Sequence, residues 1–172
     1  MADLEQRYRA LSRQFHPDYF YNASAAERRA SLERSSYLND AYRTLKNPVS
    51  RIEYLLKLEG VATPGADKTG HNPKVPASML EQVFALNEEL DEIREMKAGG
   101  AGPEQWRSRL DAARSPIEAK KAAHESQLDE LSARWDAGKE DKQEILAALH
   151  ERMLERNYIS NLLAGIEREL NA

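Results

Sequence analysis

His16, Pro17 and Asp18 stand in a row, and a histidine beside a carboxylate can begin acid–base or metal chemistry. Neither chemistry finds the rest of its parts here. A general acid–base histidine needs a nucleophile or a substrate pocket around it, and no serine or cysteine motif accompanies His16. The chain contains no cysteine, which excludes disulfides, thiolate catalysis and Cys-ligated metal centres within it. The remaining histidines, His71, His124 and His150, are scattered. His124-Glu125 and His150-Glu151 begin like a zinc-protease helix, but Leu128 and Leu154 occupy the places of the second histidine. Both pairs therefore read as surface helix residues. No catalytic residue, metal ligand or cofactor-binding residue is expected.

A tripeptide of this kind arises by chance in roughly one such chain in a hundred. It also makes sense as a turn, because proline sets φ and an aspartate side chain bonds to nearby backbone N–H groups. What gives it weight is its setting. Leu4, Tyr8, Leu11 and Phe15 recur at helical spacing over about residues 3–15 and make one apolar stripe. Arg9 and Arg13 fall on the opposite side of that helix. Pro17 stops it, since the residue before a proline avoids the helical conformation. Ser24 and Glu27 have the spacing of a capping box, and a second helix follows to about Lys46. Asn47-Pro48 ends it and starts a third, which carries Ile52, Leu55 and Leu56 and closes at Gly60. The tripeptide thus sits at the tip of a helical hairpin, beside basic residues.

The 172 residues are 41% hydrophobic and 31% charged. The composition favours helix, and nothing reads as alternating strand. Net charge is −4, which argues against general nucleic-acid binding. No apolar run approaches the length of a membrane span. Residues 1–60 hold ten basic against eight acidic side chains, whereas the remainder holds fifteen against twenty-one; two parts with two partners would be charged in this way. The Gly- and Pro-rich stretch "VATPGADKTGHNPKVP" marks the boundary. The expected division is 1–62, a linker at 63–75, and 76–172.

Beyond the linker, three long helical patterns run over about 76–97, 103–136 and 141–170, with Ser115-Pro116 a place for a kink or restart. Short joints between them imply an antiparallel three-helix bundle. On the first, Met79, Val83, Leu86, Leu90 and Ile93 form a core stripe. Leu80 and Phe84 fall off it, next to Glu88 and Glu92 and close to Glu81. An apolar pair bordered by acids is a candidate partner site; contact with another helix is the plainer reading. On the last helix Ile145, Leu149, Ile159, Leu163, Ile166 and Leu170 make the core side. Leu154 and Tyr158 point elsewhere, so Tyr158 is expected to be exposed.

The hairpin with its His-Pro-Asp tip resembles a J-domain, the module that stimulates the ATPase of DnaK-type chaperones. "RIEYLL", Arg51 to Leu56, and "LEQVFALNEELDEI", Leu80 to Ile93, resemble the HscB family of iron–sulfur co-chaperones, so that three segments agree in order. The resemblance implies an all-α protein: a J-domain-like hairpin plus helix, then a three-helix bundle. It implies that His16, Pro17 and Asp18, with Arg9 and Arg13, contact a DnaK-type chaperone (HscA). It implies that Leu80, Phe84, Glu88, Glu92 and Tyr158 hold an IscU-type scaffold protein. No nucleic acid, membrane or cofactor enters, and a cytoplasmic location is expected. A general J-domain co-chaperone and a helical adaptor with an inert turn are the alternatives.

The sequence departs from the family pattern at four places. Glu81 stands where the family often has an apolar residue, Ala85 where it often has an acid, and Tyr19 where lysine is common. Only Met1-Ala2-Asp3 precede Leu4, where the family carries a further short helix and loop; a late start codon, a truncation or a degenerate J-domain each accounts for this. Without that helix Tyr8, Leu11, Phe15, Tyr42 and Leu45 are expected to lack burial partners. Exposing even two such side chains costs on the order of 3–6 kcal/mol.

Overall fold

Helix α1 (Ala2–Phe15) opens with Asp3 and Glu5 and closes with Arg13, charges placed to suit the helix dipole. It stops at His16, whose φ of −62° and ψ of 128° are the extended values a proline imposes on its predecessor. A short 3-10 turn, Pro17–Phe20, leads to α2 (Ala25–Lys46). The capping box is complete: the Glu27 N–H donates to Ser24 Oγ, and the Ser24 N–H donates to Glu27 Oε2 at 2.9 Å. Asn47 ends α2 and caps α3 (Pro48–Leu58), its Oδ1 accepting the Ser50 N–H at 3.0 Å. Gly60 then adopts a φ of +74°, the left-handed value that ends helices at low cost in glycine.

The computed structural model describes residues 1–61 and 77–171. The expected linker and His71 lie outside the described residues. The chain divides into two units, Met1–Glu59 and Gly60–Ala172.

The first unit has a thin core. Its buried residues are Ser31, Ile52 and Leu56. Leu4, Tyr8, Phe15, Tyr42 and Leu45 are half-buried, and Leu11 is exposed. Specific contacts join α1 to α2 in place of deep burial. The Tyr8 and Tyr42 rings stack at 4.0 Å, the Tyr8 hydroxyl donates to Asn39 Oδ1 at 2.8 Å, and the Arg34 guanidinium lies 5.6 Å from the Phe15 ring centre.

In the second unit a 3-10 turn, Ala77–Met79, leads into α4 (Leu80–Ala98), followed by α5 (Pro103–Ala137) and α6 (Lys142–Asn171). Gly100 (φ +81°) and Gly138 (φ +62°) supply the left-handed residues of the two joints. The α4 stripe is as the spacing predicts: Met79, Leu86, Leu90 and Ile93 are buried. They pack with Trp106 and Leu110 of α5 and with Ile159, Leu162 and Ile166 of α6. Each such side chain contributes about 1.5–3 kcal/mol through burial. On α6, Leu146, Met153 and Leu162 join the buried set, while Leu163 and Leu170 lie half-buried at its edge.

One alternative and one expectation fail here. The helix does not restart at Ser115-Pro116; α5 is continuous over 35 residues with Pro116 inside it. An interior proline removes one backbone hydrogen bond, but Ala113 and Ile117 on either side of it pack against the core, and that packing holds the helix together. The other failure is His124, which is not a surface residue. It is 5% exposed and its Nε2 lies 2.6 Å from Glu155 Oε2.

Candidate functional site

The tip of the hairpin turns its chemistry outward. His16 Nδ1 accepts the Asp18 N–H at 3.3 Å, and the Tyr19 N–H donates to the His16 carbonyl at 3.1 Å. With Nδ1 acting as acceptor, a neutral ring carries its proton on Nε2. The Asp18 carboxylate reaches only to 3.5 Å from Nδ1, and its side chain is 85% exposed. Tyr19 meets the His16 ring edge-on at 6.1 Å between centres. The histidine and aspartate are thus fixed in backbone but left without strong partners among the described residues. A turn so built offers a donor and a carboxylate to another surface.

Ser31 is what ties this turn to the hairpin, and sequence reasoning missed it. It is the buried residue of α2, and its Oγ donates to the Phe15 carbonyl at 2.9 Å. Phe15 is the last residue of α1, so the bond fixes the helix end from which His16 departs. One serine among several in α2 carries no sequence signal of this; only the helix crossing reveals it.

The two arginines expected to assist differ. Arg9 donates to Glu5 at 2.7 Å in an exposed pair, worth little and easily exchanged. Arg13 makes no ion pair among the described residues, and lines a shallow surface groove on α1 with Arg9, Glu5 and Gln6.

On the bundle, Leu80 is 41% and Phe84 70% exposed, as their place off the stripe predicts. Phe84 shares a surface groove with Glu88, Asp91, Glu92 and Glu95. The structure thereby brings Phe84, Glu88 and Glu92 together, with Leu80 one turn before Phe84. Glu92 is not free, however. Arg109 of α5 bonds it at 2.6 Å and grips Glu89 with two further bonds at 2.6 and 2.7 Å. The hydrogen bonds that Arg109 donates first to Glu89 and then to Glu92 push its already high pKa further up. Glu81, Glu88 and Glu95 make no ion pair among the described residues, so they supply the uncompensated charge of this face.

Tyr158 is a correction. It is half-buried and packs against the bundle core, and its hydroxyl oxygen is buried with no hydrogen-bond partner among the described residues. It does not stand exposed on α6 as expected. Both wheel faces of α6 meet apolar neighbours at this level, which a single stripe does not anticipate.

No protein-family model matches the chain. Curated relatives do. The co-chaperone protein HscB homolog of Neisseria meningitidis serogroup B (strain MC58) is 44% identical over 97 residues, 56% of this chain and 54% of the relative. The homolog of Neisseria gonorrhoeae (strain NCCP11945) gives the same figures. The chain spans about half the length of the curated relatives it matches. Among solved structures, chaperone HscB from Vibrio cholerae superposes with a TM-score of 0.65 at 28% identity, covering 96% of this chain and 86% of that one. The chain is thus similar to HscB co-chaperones, in sequence over those 97 residues and in fold over most of its length. Human co-chaperone HscB has a TM-score of 0.63 at 29% identity, covering 98% of this chain and 73% of that one. The HscB likeness in fold therefore runs through both units, beyond the 97 residues of the sequence match.

A second feature of this HscB-like chain had escaped the sequence. Glu155, 2% exposed, accepts from Ser78 Oγ at 2.5 Å and from Arg152 Nη1 at 2.5 Å, in addition to His124. His124 Nδ1 lies 3.2 Å from the Lys120 carbonyl. Burial alone pushes the Glu155 carboxyl up; the bonds from Ser78 and His124 and the charges of Arg152 and His124 outweigh it, and its pKa is lowered. The cluster joins the turn before α4 to α5 and α6. Among the described residues no group of side chains suits a metal ion, and no helix is long and apolar enough to cross a membrane.

Proposed function

We propose that this chain is a co-chaperone of iron–sulfur cluster assembly, a regulator of a partner's ATPase rather than an enzyme. In this reading His16, Pro17 and Asp18 engage a DnaK-type chaperone, HscA, and promote its ATP hydrolysis. Arg9 and Arg13 meet an acidic surface of that chaperone, a contact that salt weakens. Leu80, Phe84 and Glu88 hold an IscU-type scaffold, Glu92 acting through its shared bond with Arg109 and Tyr158 by shaping the surface from beneath. The reading places the protein in the cytoplasm.

The observation that carries it is the exposed, backbone-fixed His-Pro-Asp turn beside Arg13, which has no ion pair among the described residues, in a chain similar to HscB proteins in sequence and fold. The exposed Phe84 in its acidic groove supports the scaffold half. The experiment is to measure ATP hydrolysis by the chaperone with the chain alone, the scaffold alone, and both. A coupled system predicts acceleration by the pair beyond the product of the separate effects, since both bias one state of the chaperone. Additive, independent effects would leave an adaptor without coupling.

A further inference from the structure

Between α4 and α5, with α6 as its floor, lies a cleft of about 550 Å³, within the usual range for small-molecule sites. Its origin is visible in the residues. Ala85 on α4 faces Ala112, Ala113 and Pro116 on α5, and none of these has a side chain long enough to fill the space between two helices. Leu86, Ile117, Ile159 and Leu162 complete apolar walls. The lining residues recur every three or four positions on both helices, so the cleft runs lengthwise for about 15 Å at 1.5 Å per residue.

The two ends differ in charge. At one, Arg109 is neutralised by Glu89 and Glu92. At the other, the Lys120 ammonium bonds the neutral amide oxygen of Gln82 and makes no ion pair among the described residues. With its Oε1 engaged, Gln82 retains its amide N–H donors. This end also lies at the first turn of α4, whose N-cap Met79 makes no side-chain cap bond and where the helix dipole adds positive potential. A lysine set on the rim of an apolar slot, uncompensated and beside further donors, is a seat for one anionic group.

We propose that this cleft binds a small amphipathic monoanion, a medium-chain carboxylate, with its tail along Ala85, Ala113 and Ile117 and its carboxylate on Lys120 and Gln82. The site is separate from the His-Pro-Asp turn and from the groove at Phe84, and it does not depend on the chaperone reading. Decanoate is the probe, titrated into the full chain and followed by calorimetry and by methyl NMR. The expected result is saturable binding of one decanoate per chain, with shifts at the Ala85, Ala113 and Ile117 methyls. Lys120→Met is expected to weaken binding about fivefold, and uncharged decanol to bind more weakly than decanoate and without regard to that substitution. Ala85→Leu with Ala112→Leu fills the slot; binding should vanish while tryptophan fluorescence still reports a folded bundle. Absence of saturable binding, shifts confined to the first unit, or equal affinity in Lys120→Met overturns the proposal. The last two comparisons decide the matter even where the filled variant does not fold.

Discussion

Glu155→Ala is the severest test of how the bundle is held. The carboxylate is 2% exposed and accepts from Ser78, His124 and Arg152. Removing it leaves His124 Nε2, in a residue 5% exposed, facing a void. Taking one partner from a buried charged pair costs about 3–5 kcal/mol, a large share of the 5–15 kcal/mol that typically holds a domain. At a urea dependence of about 2 kcal/mol per molar, the unfolding midpoint should fall by about 2 M. Both tryptophans, Trp106 and Trp135, lie in α5, so fluorescence during urea unfolding follows the bundle without the first unit. Replacing both buried partners by apolar residues, His124→Leu with Glu155→Met, should cost far less than the single change, because the groups left over, Ser78 and Arg152, reach solvent. A Glu155→Ala cost below about 1 kcal/mol, or a double variant as unstable as the single, would refute the view that this cluster is a satisfied buried network.

The same carboxylate makes bundle stability sensitive to acid. Its pKa is lowered in the folded protein, so its contribution is present above the ordinary carboxylate range and is lost as pH falls through the folded value; Glu155→Gln should flatten that part of the fluorescence-monitored stability profile. Phe84→Ala, at a side chain 70% exposed, should leave the urea midpoint within about 0.5 kcal/mol yet weaken capture of an IscU-type scaffold at least tenfold in calorimetry; unchanged capture would remove Phe84 from the interface. Tyr158→Phe deletes a buried hydroxyl that has no partner among the described residues, so stability should hold or rise, and a clear loss would mean that the hydroxyl is bonded in solution. Ser31→Ala removes the bond to the Phe15 carbonyl, worth about 1 kcal/mol; stimulation of the chaperone ATPase should fall while the bundle's urea curve stays put.

What the sequence disclosed follows a physical line. The ends of α1, α2 and α3 were readable because Pro17, the Ser24–Glu27 box and Asn47-Pro48 act on their own backbone. Phe84 was readable because α4 has one buried stripe and a free remainder. The failures all involve partners far along the chain. His124 and Glu155 are 31 residues apart, and either alone reads as a surface charge. Glu92 meets Arg109 only once α4 and α5 are packed. Tyr158 lies off the expected stripe of α6, yet the neighbouring helices reach it. Pro116 carries a strong local signal to break, which the packing of Ala113 and Ile117 overrides.

The account turns on whether the His-Pro-Asp turn is a working trigger. Single-turnover ATP hydrolysis by a DnaK-type chaperone, HscA where it can be had, should be measured with this chain and with its His16→Gln form. Stimulation by the native chain and its loss in His16→Gln, with scaffold binding intact, is the predicted result. Stimulation by neither form, or equally by both, would contradict it.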